Sequence, residues 1–488
     1  MATGEATIAR DAIRARRAGE SRLARWARDD WRGQRTLLWG ALLVALSATA
    51  IVLYYRATPA VITDPDTPTY LHMAQRIVSG RPPFDVVRQP GYPLLIDLVF
   101  LVAGHGNLAA LAVAQGVLFL MSVVETYALA LLIFRRAWMA FAPAALLGVN
   151  LHVLSFVKPL LAESLTLPLV TTLGLALALY LRRPSPRRLW LVAAALIATL
   201  LTRSEWAYFA PALVAALAYL TWRRGALAGL WRHLVGMLVA CGGVTLAYAL
   251  GNALFNGYFG VTNVPAINLL GKVMQYRLVG DAPPQYAAID AIVRASLARG
   301  DSNPLTPIRA YAPLAADHYR LAGSYAQAMV ERHPLQFGWQ VWLTMLHSLS
   351  SSLPFLPLPH SPWDGALRPL DALSHWTLSH MTVFVALAAL WWIALFWRRA
   401  SSAAPAVIVE QMSALSLVVM YDLILTSAGS YWYYPRMHTP FDPLLFVVVI
   451  GSALLAGERV VRWLREWLRA RVAPALRIGK AASETSHG

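Results

Sequence analysis

Leu37-Leu38-Trp39-Gly40-Ala41-Leu42-Leu43-Val44-Ala45-Leu46-Ser47-Ala48-Thr49-Ala50-Ile51-Val52-Leu53-Tyr54-Tyr55 is an unbroken apolar run with no charge in it, long enough to cross a bilayer. Arg10, Arg14, Arg16, Arg17, Arg22, Arg25, Arg28, Arg32 and Arg35 precede it. Basic residues ahead of a full-length apolar run read as a signal anchor, because a cleaved signal has a shorter apolar core. Residues 1–36 are therefore expected in the cytoplasm and residues from 56 onward on the other side. The rest of the chain agrees with this solvent. Of 488 residues, 58% are hydrophobic and only 14% charged, against about 25% charged in soluble domains. A water-soluble enzyme is excluded. The net charge of +17 would suggest nucleic acid, but the arginines sit in short clusters between apolar runs, with no zinc spacing or RNA-binding motif, so no nucleic-acid partner is expected. The single cysteine, Cys241, cannot form an internal disulfide.

Nine further apolar stretches read as spans: 108–134, 138–159, 165–181, 189–202, 206–222, 234–255, 376–397, 405–425 and 443–457. With ten spans, Arg135 and Arg136, then Arg182, Arg183, Arg187 and Arg188, then Arg223, Arg224 and Arg232, then Arg398 and Arg399, and the basic C-terminus all fall on the cytoplasmic side. The short stretch 92–103 is expected as an interfacial helix, as is 337–353; pairing the latter with a re-entrant segment to residue 358 would add two crossings. The fold class is thus an all-α polytopic membrane protein with about ten to twelve transmembrane helices and interfacial helices in large outer loops. Its expected parts are a basic segment 1–36, a transmembrane module 37–255 containing a first outer loop 56–107, a large outer, periplasmic loop 256–375, C-terminal spans 376–457, and a tail 458–488. In that tail Arg459, Arg462, Arg465 and Arg469 oppose Trp463, Leu464, Trp467 and Leu468, a basic amphipathic helix suited to the lipids of the inner leaflet. The expected location is the plasma (inner) membrane, with both termini cytoplasmic.

The first outer loop carries the most chemistry. Thr63-Asp64-Pro65-Asp66-Thr67-Pro68-Thr69-Tyr70 opens a helix, with Thr67 able to cap, Pro68 suited to the first helical position and Gly80 able to end it. An acid before a helix is often only a dipole partner. About twenty residues on, Arg88-Gln89-Pro90-Gly91-Tyr92-Pro93-Leu94-Leu95 sets a cation before a rigid turn. Asp-x-x-x-Tyr-Leu-x-x-Ala followed by Arg-x-Pro-Gly-Tyr-Pro-Leu resembles the first outer loop of the GT-C glycosyltransferases, nearest to the branch of protein O-mannosyltransferases and lipid A aminoarabinose transferases. The resemblance continues through Leu161-Ala162-Glu163-Ser164-Leu165 and Thr202-Arg203-Ser204-Glu205, and so covers residues 37–255. The C-terminal half matches in layout only, without the Trp-Trp-Asp signature or the soluble domain of oligosaccharyltransferases.

The resemblance implies a GT-C fold and an enzyme that moves a sugar from a polyprenyl-phosphate carrier to an extracytoplasmic lipid, glycan or protein, usually with inversion, on the outer face. A phosphate leaving group needs little protonation, so one general base suffices. Asp66, at the family's motif position, is the first candidate and Asp64 the second, with Glu163 sharing the site or orienting the acceptor. Fixed positive charge for the phosphate could come from Arg88, Lys158, Arg203, Lys272, Arg277 or Arg436, with His438 beside the last. Lys158 reads equally as a snorkelling side chain, and Arg203 with Glu205 as a local pair across a turn. Tyr70, Tyr92, Tyr433 and Tyr434 are candidates for sugar or acceptor contact, although aromatics at a membrane boundary are commonly belt residues. No cofactor is required by this chemistry; a divalent metal on Asp64, Asp66 and Glu163 has weak support, because the carboxylates lack tight ligand spacing. Glu125, inside a span, reads as a buried packing group, and Asp422 as support for the loop before Arg436. Two other functions use similar ingredients. A polymerase or ligase of undecaprenyl-diphosphate glycans would lean on Arg277, Arg309, Arg320 and Arg332 in the long loop. A transporter or flippase would need repeated halves and polar groups at the midplane, which the sequence does not display.

Overall fold

The computed structural model describes residues 22–355, 357–397, 406–431, 436 and 438–484. The regular elements among the described residues are all helices, without strands. Helix α1 (Arg22–Ala57) carries the opening apolar run. The first loop holds α2 (Thr67–Val78) and α3 (Gly91–Ala103). There follow α4 (Leu108–Phe134), α5 (Ala137–Gly148), α6 (Leu151–Val157), α7 (Glu163–Arg182), α8 (Pro186–Leu200), α9 (Phe209–Arg223) and α10 (Leu227–Asn256). The long loop forms α11 (Val264–Gln275), α12 (Ala287–Ala298), α13 (Leu305–Ala310), α14 (Arg320–Arg332) and α15 (Pro334–Ser350). The chain returns through α16 (Asp364–Ser379), α17 (Met381–Trp397), α18 (Ala406–Gly429) and α19 (Asp442–Glu484).

Among the described residues six helices are long and apolar enough to cross a membrane: Gly33–Ala57, Leu108–Phe134, Glu163–Arg182, Leu227–Asn256, Val407–Gly429 and Thr439–Leu468. Two bent pairs, α5 with α6 at 58° and α16 with α17 at 48°, raise the number to eight. The α5–α6 bend has a local cause: the Asn150 side chain accepts from Val153 N at 3.0 Å and starts a new helix there. The two remaining expected spans, 189–202 and 206–222, are α8 and α9, of fifteen residues each, and fall short on length. Of the arginines that ordered the expected spans, Arg398, Arg399 and those up to residue 21 lie outside the described residues.

The bundle core is apolar and dense, with Phe119, Val123 and Leu129 of α4 against Leu167, Leu173 and Leu177 of α7, all buried. Glu125 bonds Thr172 Oγ1 at 2.9 Å between the same helices, in keeping with a packing group. The long loop is more than a cover. It has a core of its own, in which Leu270, Val273 and Met274 meet Ile289, Val293, Tyr325 and Met329. Tyr276 fastens this layer to the bundle, its hydroxyl 2.8 Å from Thr344 Oγ1 and 3.2 Å from the Ser427 carbonyl.

Candidate functional site

The loop before α2 does not do what its residue types suggest. Asp66 occupies the cap position, yet its side chain makes no capping bond. Thr67, expected as the cap, instead accepts from Asp64 N at 2.9 Å and donates to the Leu160 carbonyl at 3.1 Å. Asp64 Oδ1 accepts from Asp66 N at 2.9 Å, a tight Asx turn that aims the next carboxylate. The Asp66 carboxylate is thereby released from helix duty and lies between two guanidiniums. Arg88 Nη2 stands 2.6 Å from Oδ1 and Arg436 Nη2 3.0 Å from Oδ2.

Each arginine is itself held. Arg88 Nε donates to Thr69 Oγ1 at 2.7 Å, Nη1 to the Tyr70 hydroxyl at 3.2 Å, and its guanidinium lies 4.3 Å over the Tyr70 ring. Arg436 Nε donates to Glu163 Oε1 at 2.6 Å, and its Nη1 is 3.8 Å from Asp64. Arg203 completes the chain, with Nη1 at 3.1 Å from the same Glu163 oxygen and Nε on Glu205. Residues 64, 66, 88, 163, 203, 205 and 436, distant in sequence, thus form one ionic network at the ends of α7 and α8 and the start of α2. Burial pushes the Asp66 carboxyl upward, but Arg88 and Arg436 outweigh it and hold it below the usual carboxylate range. Burial likewise disfavours the charge on Arg436, and Glu163 with Asp66 more than restores it.

Gly91 fixes how closely the two motif-bearing loops meet. Its N–H donates to the Leu201 carbonyl at 2.7 Å, and a Cβ there would stand 2.4 Å from Thr202 Oγ1 and 2.8 Å from that carbonyl. Tyr92, next in line, is fully buried; its hydroxyl bonds Gln115 Oε1 at 2.9 Å and its ring meets Tyr70 edge-on at 5.0 Å. It packs behind Tyr70, which touches Arg88. Gln115 was not anticipated. It also donates to the Pro159 carbonyl at 2.6 Å and so ties α4 to the segment before Glu163; an amide within an apolar span is the signal that marks it.

The other candidates lie apart. Lys158 bonds Thr58 Oγ1 at 2.7 Å and has no part in the arginine network. Lys272, buried in α11, bonds Gln275 Oε1 at 3.2 Å, and burial lowers its ammonium to about 7. Arg277 is exposed, with a left-handed backbone at φ 54°. His438 is buried against Asp442, Nδ1 to Oδ1 2.9 Å, with Nε2 3.3 Å from the Ser351 carbonyl; burial lowers its pKa but Asp442 raises it further. It pins the segment that presents Arg436. Tyr433 and Tyr434 lie outside the described residues. The carboxylates considered for a metal do not fit one. Arg436 stands among Asp64, Asp66 and Glu163, and among the described residues no three His, Cys, Asp or Glu side chains are arranged to hold an ion.

Fold and site together define a multi-pass helical membrane protein whose first loop and late helices share a carboxylate–arginine network. No family model and no curated protein matches the chain. Two of the solved structures similar to it are an oligosaccharyltransferase and ArnT. One is the oligosaccharyltransferase of Archaeoglobus fulgidus in its apo form, at 12% identity and a TM-score of 0.47, over 89% of this chain and 52% of that one. The other is ArnT from Cupriavidus metallidurans bound to undecaprenyl phosphate, at 16% identity and a TM-score of 0.33, over 80% of this chain and 78% of that one. The chain spans about half the length of the oligosaccharyltransferase.

Proposed function

We propose that this chain is a GT-C type membrane glycosyltransferase that moves a sugar from a polyprenyl-phosphate carrier to an acceptor hydroxyl on the outer side of the membrane, with Asp66 as general base. The observation that carries the reading is the state of Asp66: it caps no helix, is turned by Asp64, and is held ionised between Arg88 and Arg436. Two guanidiniums on one half-buried carboxylate fix the direction of its lone pairs, which is what proton abstraction in a defined geometry needs. The acceptor oxygen would lose its proton to Asp66 and attack the anomeric carbon as the carbon–oxygen bond to the phosphate breaks, leaving the carrier as the phosphate and inverting the centre. Glu163, buried and shared by Arg203 and Arg436, would keep both arginines in register. The helical layer of α11 to α15 would lie over this end and select the acceptor.

Replacing Asp66 by Asn keeps shape and removes basicity. Transfer of radiolabelled sugar from polyprenyl-phosphate donors to cell-envelope extract is expected to fall by about three orders of magnitude or more, with protein yield and melting temperature close to wild type. Wild-type turnover in Asp66→Asn would remove Asp66 as the base.

A further inference from the structure

At the ionic network the cations are already matched: Asp64, Asp66, Glu163 and Glu205 face Arg88, Arg203 and Arg436. Four carboxylates against three guanidiniums leave no surplus positive charge there among the described residues for an arriving phosphate. Lys158 is the opposite case. It is 2% exposed, and among the described residues no carboxylate lies within ion-pair reach of it. Its hydrogen-bond partner is the neutral Thr58 Oγ1, and its remaining company is the rings of Tyr55 at 5.1 Å and Tyr54 at 5.9 Å. An ammonium taken out of water without a counter-ion is a standing cost that an anion would relieve. Two nearby buried polar atoms also lack partners among the described residues, the Tyr54 hydroxyl and His152 Nδ1.

Tyr54 lies in the last turn of the first apolar span, which ends at Ala57, Thr58 follows it, and Lys158 directly follows the bent pair that ends at Val157, so all three stand at the ends of stretches apolar enough to cross a membrane. The place also adjoins the proposed base. Leu160 N donates to the Ile62 carbonyl at 3.1 Å and Thr67 Oγ1 to the Leu160 carbonyl, which binds the segment after Lys158 to the loop that carries Asp66. One charge opposes an anion here: Asp371, which acts on Tyr54 and is bonded to His152 Nε2 at 3.0 Å.

We propose that Lys158, Thr58 and Tyr54 form a phosphate subsite, distinct from the arginine network, that holds the phosphate of a membrane lipid at headgroup depth while the rest of the headgroup reaches Asp66. The subsite rests on the proposed function only in taking that lipid to be the sugar carrier. Two ammonium protons not used by Thr58 would meet phosphate oxygens, and the Tyr54 hydroxyl would donate a further bond.

The test is retention of farnesyl phosphate by the purified full chain in phosphatidylcholine nanodiscs, with farnesol and inorganic phosphate as controls. Lys158→Met should weaken farnesyl phosphate binding by about tenfold or more and leave farnesol unchanged, as loss of a charge-assisted contact requires. Competition by inorganic phosphate that vanishes in Lys158→Met would assign the subsite to free phosphate and overturn its lipid source. Equal farnesyl phosphate binding in wild type and Lys158→Met would overturn the subsite itself. Should Lys158→Met fail to fold, Tyr54→Phe deletes only a hydroxyl that has no partner among the described residues: a loss of about threefold supports the subsite, and unchanged binding overturns it. Asp66→Asn separates the two readings, since it is expected to lose transfer and keep retention. Lys158-dependent retention in a wild-type protein without transferase activity would leave the subsite and remove the carrier.

Discussion

Arg88 and Arg436 have the residue type of phosphate ligands, but their partners are carboxylates, and this changes what their removal should do. Each neutralises Asp66 and lowers its pKa against the upward push of burial. A carboxylate with a depressed pKa stays ionised above that value and loses its function as pH falls through it. The acid limb of a pH–rate profile governed by Asp66 should therefore lie below the ordinary carboxylate range in wild type and move to higher pH in Arg88→Ala and Arg436→Ala. Rate profiles with an acid limb in the same place for all three proteins would separate these arginines from the base. His438 has a related but quieter part: paired with Asp442, it braces the turn from which Arg436 reaches Asp66 and Glu163.

At the level of elements, the site depends on α3 and α8 touching. The Gly91 N–H on the Leu201 carbonyl and the clearance over Thr202 allow the loop carrying Arg88 to lie against the loop carrying Arg203. Gly91→Ala should force these loops apart, costing about 1–3 kcal/mol as an overpacked contact does. A lower melting temperature of the detergent-purified protein, with reduced transfer, is the expected reading. The Gln115 side chain makes a comparable tie from α4, to Tyr92 on one side and the segment before Glu163 on the other. Helix α7 can therefore present Glu163 at its first turn with the acid fully buried and still paired.

For the whole molecule, sidedness is the open quantity that the charge distribution addresses. Positive-inside counting predicts the helical layer 264–350 on the outer face and the tail inside. Asp317 is exposed in that layer, and Cys241, the chain's single cysteine, is buried. A Cys241→Ser, Asp317→Cys protein in intact cells should react with a membrane-impermeant maleimide, whereas a cysteine appended after Gly488 should react only after lysis. The reverse pattern would invert the topology and place Asp66 on the cytoplasmic side. The layer has its own core, from Leu270 to Met329, so under the proposed function changes in acceptor preference are to be sought there first.

The sequence alone determined the solvent, the helical class and the stretches most apt to cross the bilayer, because each of these depends on local runs of apolar residues and on charges placed beside them. It also singled out Asp66, Arg88, Glu163, Arg203 and Arg436 by residue type and motif. It could not say that one guanidinium bridges Asp66 and Glu163, that Asp66 abandons the cap while Thr67 turns to Leu160, or that the Tyr92 hydroxyl bonds Gln115. Those pairings join residues from 23 to 370 positions apart, and only the tertiary structure decided them: a polar or ionic group inside a low-dielectric bundle must find its partner in space, wherever the chain has put it. Lys158 shows the same limit from the other side, since its lack of a carboxylate partner among the described residues is invisible until its neighbours in space are known.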